Sequence, residues 1–79
     1  MAETFTLPKL ADTADNYVIV EWKVAAGDRV EAGRPLVVVE TDKTEVELDM
    51  PFTATVVELL AAADDEVRTG QGICVLERD

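Results

Sequence analysis

Lys43 stands in Glu40-Thr41-Asp42-Lys43-Thr44-Glu45, a polar run between two apolar stretches. A lysine amine can accept an acyl group, but an exposed one is mostly protonated at neutral pH and a poor nucleophile. Such chemistry requires an enzyme that docks on the segment and activates the acyl donor. The other side chain with nucleophilic potential is Cys74, alone of its kind and set in Ile73-Cys74-Val75-Leu76. A reactive thiol needs a base or cation to lower its pKa, and the chain has no histidine. Cys74 therefore reads as strand packing. The acids Glu40, Asp42, Glu45, Glu47 and Asp49 fall on a turn and on one strand face, with no pocket to shift their pKa values, so no catalytic residue and no metal site is assigned.

The segment is placed by a duplication. Sliding Val20 to Glu40 onto Val57 to Glu77, an offset of 37, matches nine of 21 positions, among them Val20/Val57, Ala25/Ala62, Asp28/Asp65, Gly33/Gly70 and Glu40/Glu77. Two copies are too few for a solenoid. A single domain over residues 1–79 with an approximate two-fold axis is expected, because each half alone would leave apolar strand faces in water. The counterpart of Lys43 falls at position 80, one beyond the last residue, so Lys43 and the chain ends should occupy opposite poles.

Apolar periodicity is that of strands. Phe5 and Leu7 alternate with threonines; Ile19 to Val24 follows; Leu36 to Val39 is apolar on both faces. After Lys43, Val46, Leu48 and Met50 face one way while Glu45, Glu47 and Asp49 face the other. Val56 to Leu60 and Ile73 to Leu76 complete the second copy. Short strands with close turn signals indicate an all-β sandwich or flattened barrel. Trp22 pairs with Leu59 in the repeat and reads as core. Asp42 suits a hairpin turn, since its side chain can bond nearby backbone amides.

Val20 lies twelve positions after Pro8, whereas Val57 lies six after Pro51. The first copy thus carries an insertion of six within Leu10 to Val18. The resulting loop, Ala11-Asp12-Thr13-Ala14-Asp15-Asn16-Tyr17, should lie near Lys43 and is a candidate for partner recognition.

Charge and length restrict the possibilities. Seventeen acidic against seven basic residues give a net charge of −10. Nucleic acid and anionic membranes would repel such a chain, and a basic docking partner suits it better. No run approaches a membrane span and the N-terminus carries no signal pattern, so a soluble, intracellular protein is expected. A domain of 79 residues has one thin core and no room for a deep cleft.

From Phe5 to Glu77 the chain resembles the biotinyl/lipoyl attachment family, specifically the lipoyl domains of acyltransferase (E2) components of 2-oxo acid dehydrogenase complexes. The matching marks are Leu7-Pro8, Val20-Glu21-Trp22, Gly27-Asp28-Arg29-Val30, Gly33, Pro35-Leu36, Glu40-Thr41-Asp42-Lys43-Thr44 and Pro51. The resemblance implies a flattened barrel of two four-stranded antiparallel sheets with pseudo-two-fold symmetry and the lysine at a hairpin tip. It implies that Lys43 carries lipoate as an amide, with Asp42 and Thr44 as flanking recognition residues and Glu40 and the 11–17 loop in partner recognition. Biotin carriers place methionine on both sides of their lysine; here Asp42 and Thr44 stand there, which favours lipoate. The glycine-cleavage carrier fits less well, having Ser-Val before its lysine.

The partners so implied are a lipoate ligase or octanoyltransferase, a thiamine-dependent E1, the E2 acyltransferase core and an FAD-dependent E3, with the domain monomeric when alone. In that scheme the arm on Lys43 is reductively acylated, passes the acyl group to coenzyme A and is reoxidised, and the domain is a carrier and not an enzyme. The compartment would be the cytoplasm in a bacterium or archaeon, or the mitochondrial matrix in a eukaryote. Two departures bear on this. Ala54 replaces a usual turn glycine, which predicts strain if φ is positive there. Ala11 stands where a Gly-Glu pair usually opens the surface loop, which leaves the choice of E1 open.

Overall fold

A computed structural model describes residues 2–9, 16–41 and 44–78. The strands are β1 (Ala2–Thr6), β2 (Asn16–Trp22), β3 (Arg29–Val30), β4 (Pro35–Glu40), β5 (Glu45–Asp49), β6 (Ala54–Leu59), β7 (Glu66–Arg68) and β8 (Gly72–Arg78). They form two four-stranded antiparallel sheets, ordered β1-β8-β6-β3 and β5-β4-β2-β7. Replacing each strand of the first sheet by its repeat partner generates the second, so the two-fold axis exchanges the sheets. Each sheet therefore mixes strands from both halves of the chain, and neither half can bury its apolar face without the other.

The repeat extends to individual hydrogen bonds. Gly27 N donates to Val56 O at 2.7 Å, and 37 residues on Asp64 N donates to Ile19 O at 2.7 Å. Asp28 Oδ2 accepts from Ala25 N at 2.9 Å, as Asp65 Oδ2 does from Ala62 N at 2.8 Å. Gly33 N donates to Met50 O, and Gly70 N to Leu7 O. Among the described residues, each backbone bond formed at the turns has such a counterpart except one, Thr41 N to Thr44 O.

Bulges correct a simple alternation of side chains. In β2 the register against β4 shifts between Ile19 and Glu21, and in β6 the register against β8 shifts between Val56 and Glu58. The extra residue turns Val20 and Val57 outward, to 36% and 44% exposure, while Ile19 and Val56 remain fully buried. A matching shift between Pro35 and Val37 lets Leu36 and Val37 both point inward. That is why the Leu36 to Val39 run reads as apolar on both faces.

The core joins Leu7, Tyr17, Ile19, Leu36, Val39, Leu48, Met50 and Val67 with Val56, Ile73, Cys74 and Leu76 between the sheets. Ala54 is also completely buried there, in register with Val30 on one side and Arg78 on the other. The strain predicted at this alanine is absent, because Ala54 is a strand residue and Asp64 alone among the described non-glycine residues has positive φ. Trp22 is half-buried at the edge of the core and donates its indole N–H to Ala61 O at 2.9 Å.

Candidate functional site

The β4–β5 hairpin is built from the residues flanking the lysine. Glu40 and Glu45 face each other across the last strand pair. Beyond them, Thr41 N donates to Thr44 O at 2.8 Å, and Thr44 N donates to Thr41 Oγ1 at 3.2 Å. The Thr41 hydroxyl also donates to Thr44 O at 3.4 Å, and that of Thr44 to Glu45 O at 3.4 Å. Asp42 and Lys43 lie outside the described residues. Thr44 and Glu45 are exposed; Glu40 and Thr41 are half-buried against β2, where Val18 pairs with Glu40.

Strand register fixes where this turn stands. β2 begins where β4 ends, and its first residue, Asn16, pairs with Arg68 at the end of β7. Leu7, after β1, exchanges backbone bonds with Gly70 and Gln71, the turn that follows β7. Leu7 and Asn16, which flank the segment expected to hold the six-residue insertion, thus both lie at the pole that holds Thr41 and Thr44. Ala2 and Arg78 lie at the far ends of β1 and β8, in register with Glu77 and Ala54. The molecule measures 34 × 20 × 18 Å, so the poles are separated along its long axis.

The recognition loop expected over Ala11 to Tyr17 is shorter than its sequence suggested. Ala11, Asp12, Thr13 and Asp15 lie outside the described residues. Asn16 and Tyr17 belong to β2, and Tyr17 is 1% exposed in the core. A partner cannot read Tyr17 there, and its burial is explained by a strand that starts earlier than the apolar run from Ile19 implied. Asn16 stays exposed beside the turn.

Two open depressions occur among the described residues, and both lie away from Thr41 and Thr44. An open depression of about 610 Å³ is lined by Lys23, Asp28, Arg29, Glu31, Arg34 and Glu47, and its pseudosymmetric counterpart of about 450 Å³ by Trp22, Leu59, Leu60, Ala61 and Asp65. Neither takes in a residue of the turn. Thr44, beside Lys43 in sequence, is exposed, so the described part of the turn leaves room for a covalently attached group. Cys74 is fully buried, and burial pushes its thiol up to about 11, which removes it as a nucleophile. No cluster able to hold a metal ion occurs among the described residues. The acids of β5 line the outer face of an edge strand, where β4 is the sole neighbour.

At the opposite pole Arg78 holds Glu3 with two hydrogen bonds, 2.9 and 3.1 Å, and lies 3.9 Å above the Phe52 ring. The bonded guanidinium lowers the Glu3 carboxyl below its ordinary range. This clasp ties the start of β1 to the end of β8.

One contributor at the turn was not singled out by sequence reasoning. Thr41 supplies the acceptor for Thr44 N–H, and the available signal was the symmetric placing of two threonines about Asp42-Lys43.

Residues 3–76 match the sequence model of the biotin/lipoyl family, described as "Biotin-requiring enzyme". Among curated relatives, the dihydrolipoyllysine-residue acetyltransferase component of the pyruvate dehydrogenase complex of Corynebacterium glutamicum is 41% identical over 64 residues, 81% of this chain and 10% of that protein. The lipoamide acyltransferase component of the branched-chain alpha-keto acid dehydrogenase complex of Bacillus subtilis is 34% identical over 77 residues, 98% of this chain and 18% of that one. The dihydrolipoyllysine-residue succinyltransferase component of the 2-oxoglutarate dehydrogenase complex of Staphylococcus saprophyticus is 39% identical over 70 residues, 89% of this chain and 16% of that one. The chain thus spans less than a fifth of the length of these relatives. A solved single-chain, multi-domain long-chain acyl-CoA carboxylase shares the fold, with a TM-score of 0.84 at 24% identity over 99% of this chain and 7% of its own.

Proposed function

The chain belongs to the biotin/lipoyl attachment family, and we propose that it is a lipoyl carrier domain in which Lys43 holds lipoate through an amide bond. The observation that carries this reading is the hairpin between β4 and β5, closed by bonds between Thr41 and Thr44 at the pole remote from Ala2 and Arg78. A carrier needs its anchor and its working group at opposite ends, so that a tether on one leaves the other free to visit successive partners. Tethering then raises the effective concentration of the carried group at each of them.

Lys43 Nζ, as the free amine, attacks the activated acyl carbon and loses a proton as the amide forms; the leaving group is AMP where a lipoate ligase works through an acyl adenylate, or the carrier thiol where an octanoyltransferase works from an octanoyl thioester. Docking of either enzyme is assigned to Asp42, Thr44 and Glu40, with residues 11–16 available to later partners. When bound, lipoate supplies a dithiolane that carries acyl groups and electrons. The domain itself contributes position and reach and has no active site of its own. Its partners are a thiamine-dependent E1, an acyltransferase core and an FAD-dependent E3 of a 2-oxo acid dehydrogenase complex. The named relatives act in complexes for pyruvate, branched-chain 2-oxo acids and 2-oxoglutarate, and this domain serves one of that class. Its compartment is the cytoplasm of a bacterium or archaeon, or the mitochondrial matrix.

Intact mass and peptide mapping of the chain, produced in a host supplied with both lipoate and biotin beside Lys43→Ala, tests this. A lipoyl or octanoyl adduct confined to Lys43 supports the carrier reading. Biotin at Lys43 assigns a biotin carrier instead, and an unmodified lysine leaves a plain β-sandwich interaction module.

A further inference from the structure

We infer that Thr41 is a positioning residue for modification of Lys43, its hydroxyl holding the hairpin in the form that the attaching enzyme docks on; the inference rests on the carrier reading above. Three observations meet here. First, the Thr41–Thr44 closure is the one turn bond without a repeat counterpart among the described residues. Second, the base of this turn is electrostatically unfavourable. Glu40 and Glu45 sit directly opposite each other, and like charges in that position destabilise a strand pair. Third, the side chain of Thr41 works against that repulsion: its Oγ1 accepts from Thr44 N at 3.2 Å, beside the backbone bond of 2.8 Å.

A hairpin tip on an edge strand contributes little to the global stability of the barrel. The value of the extra bond lies in the bound state. An enzyme acting on an exposed amine must select one arrangement of the turn, and a turn already closed spares much of the ordering entropy at docking. Thr41 touches neither the acyl donor nor the reacting amine in this account. It acts through Thr44.

The test uses the apo protein, purified lipoate ligase, lipoate and ATP, with modification followed by intact mass. Thr41→Val keeps the β-branched shape and the backbone bond to Thr44 O but removes the acceptor for Thr44 N–H; Thr41→Ser restores it. Thr41→Val should raise the KM for the protein roughly threefold to tenfold, the equivalent of one neutral hydrogen bond, with kcat little changed. Amide exchange at Thr44 should accelerate by a similar factor while the melting temperature stays near that of wild type, and Thr41→Ser should recover both. A Thr41→Val protein modified with the wild-type KM, or one whose Thr44 amide exchanges at the wild-type rate, overturns the inference while leaving the carrier reading intact. A wild-type chain that takes no lipoate at Lys43 overturns both.

Discussion

Gly27 and Asp64 occupy the same place in the two copies and permit a test with an internal control. Their turns make the same bonds, with donor–acceptor distances of 2.7 Å in both, and their φ angles are 97° and 75°. A non-glycine residue in this left-handed region costs about 1–2 kcal/mol, with aspartate near the low end. Glycine gives back about 0.5–1 kcal/mol through its larger unfolded-state entropy. The side-chain capping bond of this turn belongs to Asp65 and would survive a change at position 64. Asp64→Gly should therefore stabilise the fold by roughly 0.5 kcal/mol, whereas Gly27→Ala should destabilise it by about 1 kcal/mol. A Cβ at Gly27 would meet nothing within 4 Å, so that loss is conformational and not steric. Because Asp64→Gly also removes one of 17 acids from a chain of net charge −10, Asp64→Asn is the charge control. Urea unfolding followed by circular dichroism reads the midpoints; a stability change of ~1 kcal/mol moves the melting temperature by about 4–8 °C in a domain of this size. If Asp64→Gly lowers the midpoint relative to Asp64→Asn, or if Gly27→Ala leaves it unmoved, backbone conformation is not what distinguishes the two turns.

Two further outcomes follow from the core. Burial holds the Cys74 thiol protonated to about pH 11, whereas the unfolded thiol ionises near 9.0. The unfolded chain therefore binds fewer protons between those values, and stability falls across that window by about 2–3 kcal/mol. Cys74→Val, which copies the residue at its repeat partner Val37, should flatten this alkaline limb in pH-dependent urea titrations; an unchanged limb would assign it to other groups. Trp22→Phe removes the indole bond to Ala61 O and should lower stability by about 1 kcal/mol. Calorimetry measures it, and a melting temperature within 1–2 °C of wild type would show that water replaces the bond without loss.

Much of the fold could be read from residues alone because its signals are local and occur twice. The offset of 37 identified the equivalent turns at Ala25-Asp28 and Ala62-Asp65, and the alternation after Lys43 located the buried face of β5, with Leu48 and Met50 inside. Strand register puts Thr41 and Thr44, which flank the lysine in sequence, at the pole opposite Ala2 and Arg78. The two-residue and three-residue strands β3 and β7 carry no periodicity long enough to register and exist through their partners, β6 and β2.

What the sequence by itself determined is the duplication, the strand character, the acidic surface and a lysine in a polar connection between two strands, because each depends on residues close together or on a simple repeat. Tertiary structure alone decided the exchange of strands between sheets and the bulges that turn Val20 and Val57 outward. It also decided the burial of Tyr17 and Ala54 at equivalent places in the core, and the bond from Thr44 to the Thr41 hydroxyl. Those features depend on register between segments far apart in the chain, where one residue of slip reverses which face a side chain takes.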